Sequence, residues 1–132
     1  MIEKIKFNGE LFALIISNHS PKNEGIDFLT DGDSLLEFGI MKYKSGHTIQ
    51  PHIHKPIKRI IFGTNEVIYI KKGKVLIDFF DENQNQFSSK TLNRGDWVIL
   101  IKGGHGFKII ENSELIEVKN GPYVDGNDKV KF

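Results

Sequence analysis

Glu66-Val67-Ile68-Tyr69-Ile70-Lys71-Lys72-Gly73-Lys74-Val75-Leu76-Ile77-Asp78-Phe79-Phe80 is the stretch that decides the fold. Two runs rich in β-branched and aromatic residues flank a short polar turn that contains a glycine, which is the signature of a β-hairpin. The rhythm continues downstream. Val67–Ile70, Val75–Phe80, Phe87–Leu92, Trp97–Ile101, Phe107–Ile110 and Leu115–Val118 read as strands, separated by polar or glycine-bearing turns such as Asn93-Arg94-Gly95-Asp96 and Gly103-Gly104-His105-Gly106. Upstream the pattern is looser, with strands expected at Leu11–Ile16, Leu35–Lys42 and Arg59–Phe62 and a short helical turn within Asp31–Glu37. No helical period persists for three turns. Short strands at regular spacing predict an all-β barrel or sandwich.

The chain has 132 residues, which suits one domain with a core of its own. Hydrophobic residues at 39% and charged residues at 27% give the balance of a folded globular protein. Eighteen Lys plus Arg against seventeen Asp plus Glu leave a net charge of +1, which argues against an electrostatic nucleic-acid binder. The absence of cysteine excludes disulfides, thiolate metal sites and cysteine nucleophiles. No apolar run is long enough for a bilayer span, and Met1–Asn8 alternates charged and apolar residues rather than opening a signal peptide. A cytoplasmic protein without a membrane or nucleic-acid partner is the expectation. The segment Gly121–Phe132 lacks a period and is expected to dock as an extended tail, anchored by Pro122, Tyr123 and Phe132.

Chemistry concentrates in the histidines, which are His19, His47, His52, His54 and His105. On an extended strand His52 and His54 leave the same face, about 6.6 Å apart at a rise of ~3.3 Å per residue, and a curved strand could aim both rings at one cation. Glu66 shares its face with Ile68 and Ile70. A carboxylate on an apolar face needs a partner or a metal, so Glu66 is expected to point inward and to be functional. Tyr69 points the other way by parity.

These residues fall in an order that resembles the two motifs of the cupin superfamily. Gly46, His52 and His54 give G-x5-H-x-H, and Glu66 with Gly73 gives E-x6-G. Gly95, Gly103 and His105 resemble the second motif, G-x5-P-x-G-x2-H-x3-N. The resemblance spans about 46–110 and implies a single cupin domain over 1–132, a jelly-roll β-barrel or double-stranded β-helix. It further implies one divalent transition metal (Mn, Fe, Ni, Cu or Zn) held by His52, His54, Glu66 and His105 in the barrel mouth. The sequence departs from the pattern in three places. Eleven residues separate His54 from Glu66 where the family has three or four, which makes Lys55–Asn65 an insertion. Ile101 stands in place of the proline, with His105 two rather than three positions after Gly103. The terminal asparagine is absent, with Ile109 near its place.

Arg59, with Lys58, is the candidate for greeting a substrate anion at the mouth. His47 and His19 read as surface and turn residues. No nucleophile elbow, phosphate loop or dinucleotide fingerprint is present. The resemblance leaves the reaction open between a metal-dependent isomerase or dioxygenase acting on a carbohydrate derivative or organic acid and a non-catalytic sensor. His52-Ile53-His54-Lys55 is also similar to the H-x-H-K segment of cupin-like sugar-nucleotide ketoisomerases, in which histidines move protons without metal. Phe79, Phe80 and Phe87 gather around one hairpin, and a homodimer formed by sheet packing or strand exchange from the N-terminal segment is expected.

Overall fold

The computed structural model describes residues 1–124, 126 and 128–132. Asp125 and Asn127 of the expected tail lie outside the described residues. The chain divides into two compact units, one formed by Met1–Asn18 with Thr64–Phe132 and the other by His19–Gly63.

The first unit contains β1 (Ile2–Phe7) and β2 (Glu10–Ile16). Its later segment adds β5 (Glu66–Lys72), β6 (Lys74–Phe80), β7 (Gln86–Asn93), β8 (Trp97–Leu100), β9 (Gly104–Ile109) and β10 (Glu114–Lys119). The second unit holds β3 (Gly25–Phe28) and β4 (Gly39–Lys42). Every ladder is antiparallel. One five-stranded sheet runs in the order β1-β2-β8-β5-β10, and one three-stranded sheet in the order β7-β6-β9. The all-β expectation holds, but among the described residues no sheet closes into a barrel. Among the described residues no helix is long and apolar enough to cross a membrane.

The core of the first unit draws on both sheets. Ala13, Ile15, Ile68, Ile70, Val98 and Leu100 from the larger sheet join Val75, Ile77, Phe79 and Leu92 from the smaller one. Alternate residues of β5 and β6 supply this layer, as the period of two requires. Phe7 stacks on Phe87 with centroids 4.8 Å apart, and Phe12 meets Phe87 edge-on at 5.0 Å. Phe79 is buried in the core, and Phe80 packs on Phe132. The three phenylalanines expected to form a dimer face are therefore engaged within the unit.

Gly73 makes the β5–β6 turn possible. Its φ is +85°, and a Cβ there would lie 2.8 Å from Ser113 Cα and collide with the Asn112 carbonyl. Only glycine satisfies both constraints.

In the second unit β3 pairs with β4, and the side chains of Ile26 and Phe28 lie where a Cβ on Gly39 would go. The strand expected over Leu35–Lys42 shortens to Gly39–Lys42. The turn expected within Asp31–Glu37 is a single one, closed by Ser34 N–H donating to the Asp31 carbonyl at 2.9 Å, with no helix. Arg59–Phe62 is not a strand. It has strand composition but no ladder partner, and Arg59, Ile60 and Phe62 are exposed. The segment carrying His52 and His54 is likewise irregular chain rather than a strand.

Candidate functional site

Two ladders bring Glu66 and His105 together. Glu66 opens β5 opposite Leu100 of β8 and opposite Lys119 of β10. Directly opposed residues of an antiparallel pair share a face, so Glu66 lies on the inward face with Leu100, Ile68 and Ile70. Across the interior, His105 of β9 pairs with Phe79 of β6, and Phe79 is core. The imidazole therefore enters the same interior from the facing sheet. His105 Nε2 lies 3.2 Å from Glu66 Oε2, with the carboxyl side chain 13% exposed and the imidazole 29% exposed.

The turn that delivers His105 also needs its glycine. Gly103 has φ +74°, and a Cβ would lie 2.5 Å from the Phe80 carbonyl and 2.6 Å from the Phe12 ring. Just before Glu66, the buried Asn65 holds the start of β5. Its backbone N–H donates to Asn120 Oδ1 at 2.7 Å and its Nδ2 donates to the Ile101 carbonyl at 2.7 Å.

Hydrogen bonding to His105 holds the Glu66 carboxyl below the usual carboxylate range. Burial opposes this, and the charges of His105, Lys119 and Lys129 reinforce it. Lys119 donates to Asp128 at 3.1 Å, and Thr64 Oγ1 donates to the same carboxyl group at 3.3 Å. The Asp128 hydrogen bond keeps the Lys119 ammonium above its ordinary value.

The pair lines an open cavity of about 1050 Å³. Ile68, Leu100, Phe107 and Leu115 supply apolar wall, and Glu117 and Lys102 supply charge. One further side is formed by Asp128, Lys129, Val130, Lys131 and Phe132.

Glu66 and His105, two of the four expected ligands, thus converge within the first unit. His52 and His54 belong to the second. Their rings lie 5.2 Å apart, nearly edge to face, and His52 Nδ1 is 3.0 Å from the Gln50 carbonyl. Both side chains are exposed, as is Arg59. His47 stacks on Tyr43 at 4.3 Å, and His19 Nε2 lies 3.4 Å from Asp27. Tyr69 packs on Trp97 on the face opposite Glu66. Among the described residues no three His, Cys, Asp or Glu side chains gather into a group that could hold a metal ion.

Sequence reading missed Asn65, Lys119 and Asp128. The ladder would have supplied Lys119, because its register sets it opposite Glu66. Asp128 carries no such signal, since it follows the last strand. The chain matches no family model, no curated protein and no solved structure.

Proposed function

We propose that the chain is a cupin-like jelly-roll protein whose cavity receives a small oxygenated molecule, with Glu66 and His105 as its chemical pair. A carbohydrate derivative or an organic acid is the ligand class. The observation that carries this reading is the 3.2 Å approach of an imidazole to a partly buried carboxylate inside a cavity of about 1050 Å³. Cavities of this order hold small molecules, and a few convergent polar groups on apolar walls are the usual composition of such sites.

The pair suits proton transfer. Glu66 stays ionised at neutral pH and accepts the Nε2–H of His105. A neutral ring fixed in that tautomer presents Nδ1 as its base. Glu66 then stabilises the imidazolium that forms when His105 takes a proton from a ligand hydroxyl or from a carbon beside a carbonyl. Proton transfer of this kind needs no metal.

One distance favours a second reading. Two ligands on a metal with bonds of about 2.0–2.2 Å lie roughly 3.0–3.5 Å apart, depending on geometry. His105 Nε2 and Glu66 Oε2 meet that spacing. A divalent transition metal would be held on the first unit by these two donors, with Nε2 deprotonated, and it would act as a Lewis acid toward a ligand oxygen. The first unit supplies only half of the four-donor set the motif implies. The proton-transfer reading uses no donor beyond the pair, and we rank it first.

A homodimer belongs to the same proposal. With Phe79, Phe80 and Phe87 engaged internally, it rests on the exposed Ile116 and Val118 of β10, which ends the order of the larger sheet.

The test is chemical-shift mapping of a panel of monosaccharides, sugar phosphates and hydroxy acids on wild type, Glu66→Gln and His105→Ala. Shifts at Ile68, Leu100 and Phe107 that vanish in both variants support the proposal. A panel that leaves the cavity unperturbed overturns it. Elemental analysis of untagged protein separates the readings, because stoichiometric metal lost in His105→Ala would favour the metal.

A further inference from the structure

The chain after β10 contains no strand among its described residues, yet Asp128–Phe132 forms one side of the cavity. Among the described residues, side chains fasten it at two points. Near one end, the Asp128 carboxylate accepts from Lys119 Nζ at 3.1 Å and from Thr64 Oγ1 at 3.3 Å. At the other, the Phe132 ring meets Phe80 edge-on with centroids 5.1 Å apart. Phe132 sits over Gly104, where a Cβ would come within 3.0 Å of its Cζ. Both anchors reach the neighbourhood of the pair, because Lys119 is the ladder partner of Glu66 and Gly104 precedes His105.

We infer that residues 128–132 are a detachable strap, a wall of the open cavity that lifts to widen access to Glu66 and His105 and then closes over the ligand. A segment bound through side chains can leave without breaking a sheet ladder, whereas the wall strands β5, β6, β8, β9 and β10 are each bonded into one. Phe132 stays 63% exposed at its contact, and Asp128 and Lys119 keep about a quarter of their side chains in water. One ion pair and one aromatic edge contact hold little free energy between them, so the open form lies within thermal reach. The missing Cβ at Gly104 leaves the seat for the Phe132 ring. Closing the strap also returns Lys129 to the cavity, where its charge acts on the Glu66 carboxylate. The strap therefore completes the electrostatics of the site as well as its shape. This inference needs the cavity and not the chemistry proposed for it, so it stands or falls separately.

Histidine acylation by diethyl pyrocarbonate, followed residue by residue by mass spectrometry, measures access to the pair without any knowledge of the ligand. Rates are compared at pH values high enough for neutral imidazole. His47, exposed in the other unit, is the internal reference. Asp128→Asn removes the ion pair and should speed acylation of His105 by about two- to fivefold, the weight of one partly exposed pair. Phe132→Ala removes the aromatic anchor and should speed it by roughly two- to tenfold. Both variants should leave the His47 rate unchanged. Wild-type His105 rates in both variants would overturn the strap. An equal rise at His105 and His47 would overturn it too, because that marks general loosening rather than the opening of one wall.

Discussion

Replacing Glu66 by Gln keeps the shape of the side chain and an oxygen to accept from His105, but removes the charge. A hydrogen bond to a charged group contributes about 1.5–3 kcal/mol and a neutral one about 0.5–1.5, so the substitution should cost roughly 1 kcal/mol. With the carboxyl side chain 13% exposed and its partner 29% exposed, solvent screening does not erase this difference. For a chain of this length, ~1 kcal/mol lowers the melting temperature by about 3–6 °C. The pH dependence follows from the direction of the shift. The folded state holds the Glu66 carboxyl below its ordinary value of 4.5. Its contribution is therefore complete above that value and is lost as pH falls through the lower folded value. Urea unfolding of wild type and Glu66→Gln between pH 3 and 8 should show a gap that persists down to about pH 4.5 and closes below it. A gap that is absent at neutral pH, or that persists undiminished well below pH 4.5, refutes the reasoning.

Three other substitutions and measurements probe the frame around the site. Gly73→Ala places a Cβ at φ +85° against the Asn112 carbonyl and Ser113 Cα, and should destabilise by about 3 kcal/mol, seen as a fall in the denaturation midpoint. Asn65→Ala strips the Ile101 carbonyl of its 2.7 Å donor and should cost about 1–3 kcal/mol, with faster amide exchange at the start of β5. Light scattering at micromolar concentration should report a dimer whose dissociation is promoted by Val118→Lys on the exposed β10 edge; a monomer at all concentrations removes the assembly proposal.

How much of this was legible depended on how local the determinant is. From Glu66 to Lys119 each strand expected from composition has its counterpart, because alternation and turn chemistry act over a few residues. The strand ends moved where long-range pairing decides them. β9 begins at Gly104, ahead of the apolar run Phe107–Ile110, since pairing with β6 draws Gly104 and His105 into the ladder. Arg59–Phe62 shows the reverse. Its residues favour a strand as strongly as those of β6, but propensity forms no strand without a ladder partner, and nothing in the local pattern reports a missing partner.

The site divides along the same line. The inward turn of Glu66 was readable from parity alone, because one face of five residues suffices. His105 was harder, since a shortened glycine turn precedes it. What fixes its direction is register against Phe79, and a one-residue slip would have reversed it. The partners that tune Glu66 come from further along the chain. Lys119 arrives by ladder register and Asp128 by a segment with no period, so neither carries a signature of its own. The pairing of His52 with His54 depends on an extended backbone, and the chain there is irregular. Their rings lie 5.2 Å apart, but no ladder fixes that spacing. That is why the pair resting on two ladders, Glu66 with His105, is the one to which the chemistry is assigned.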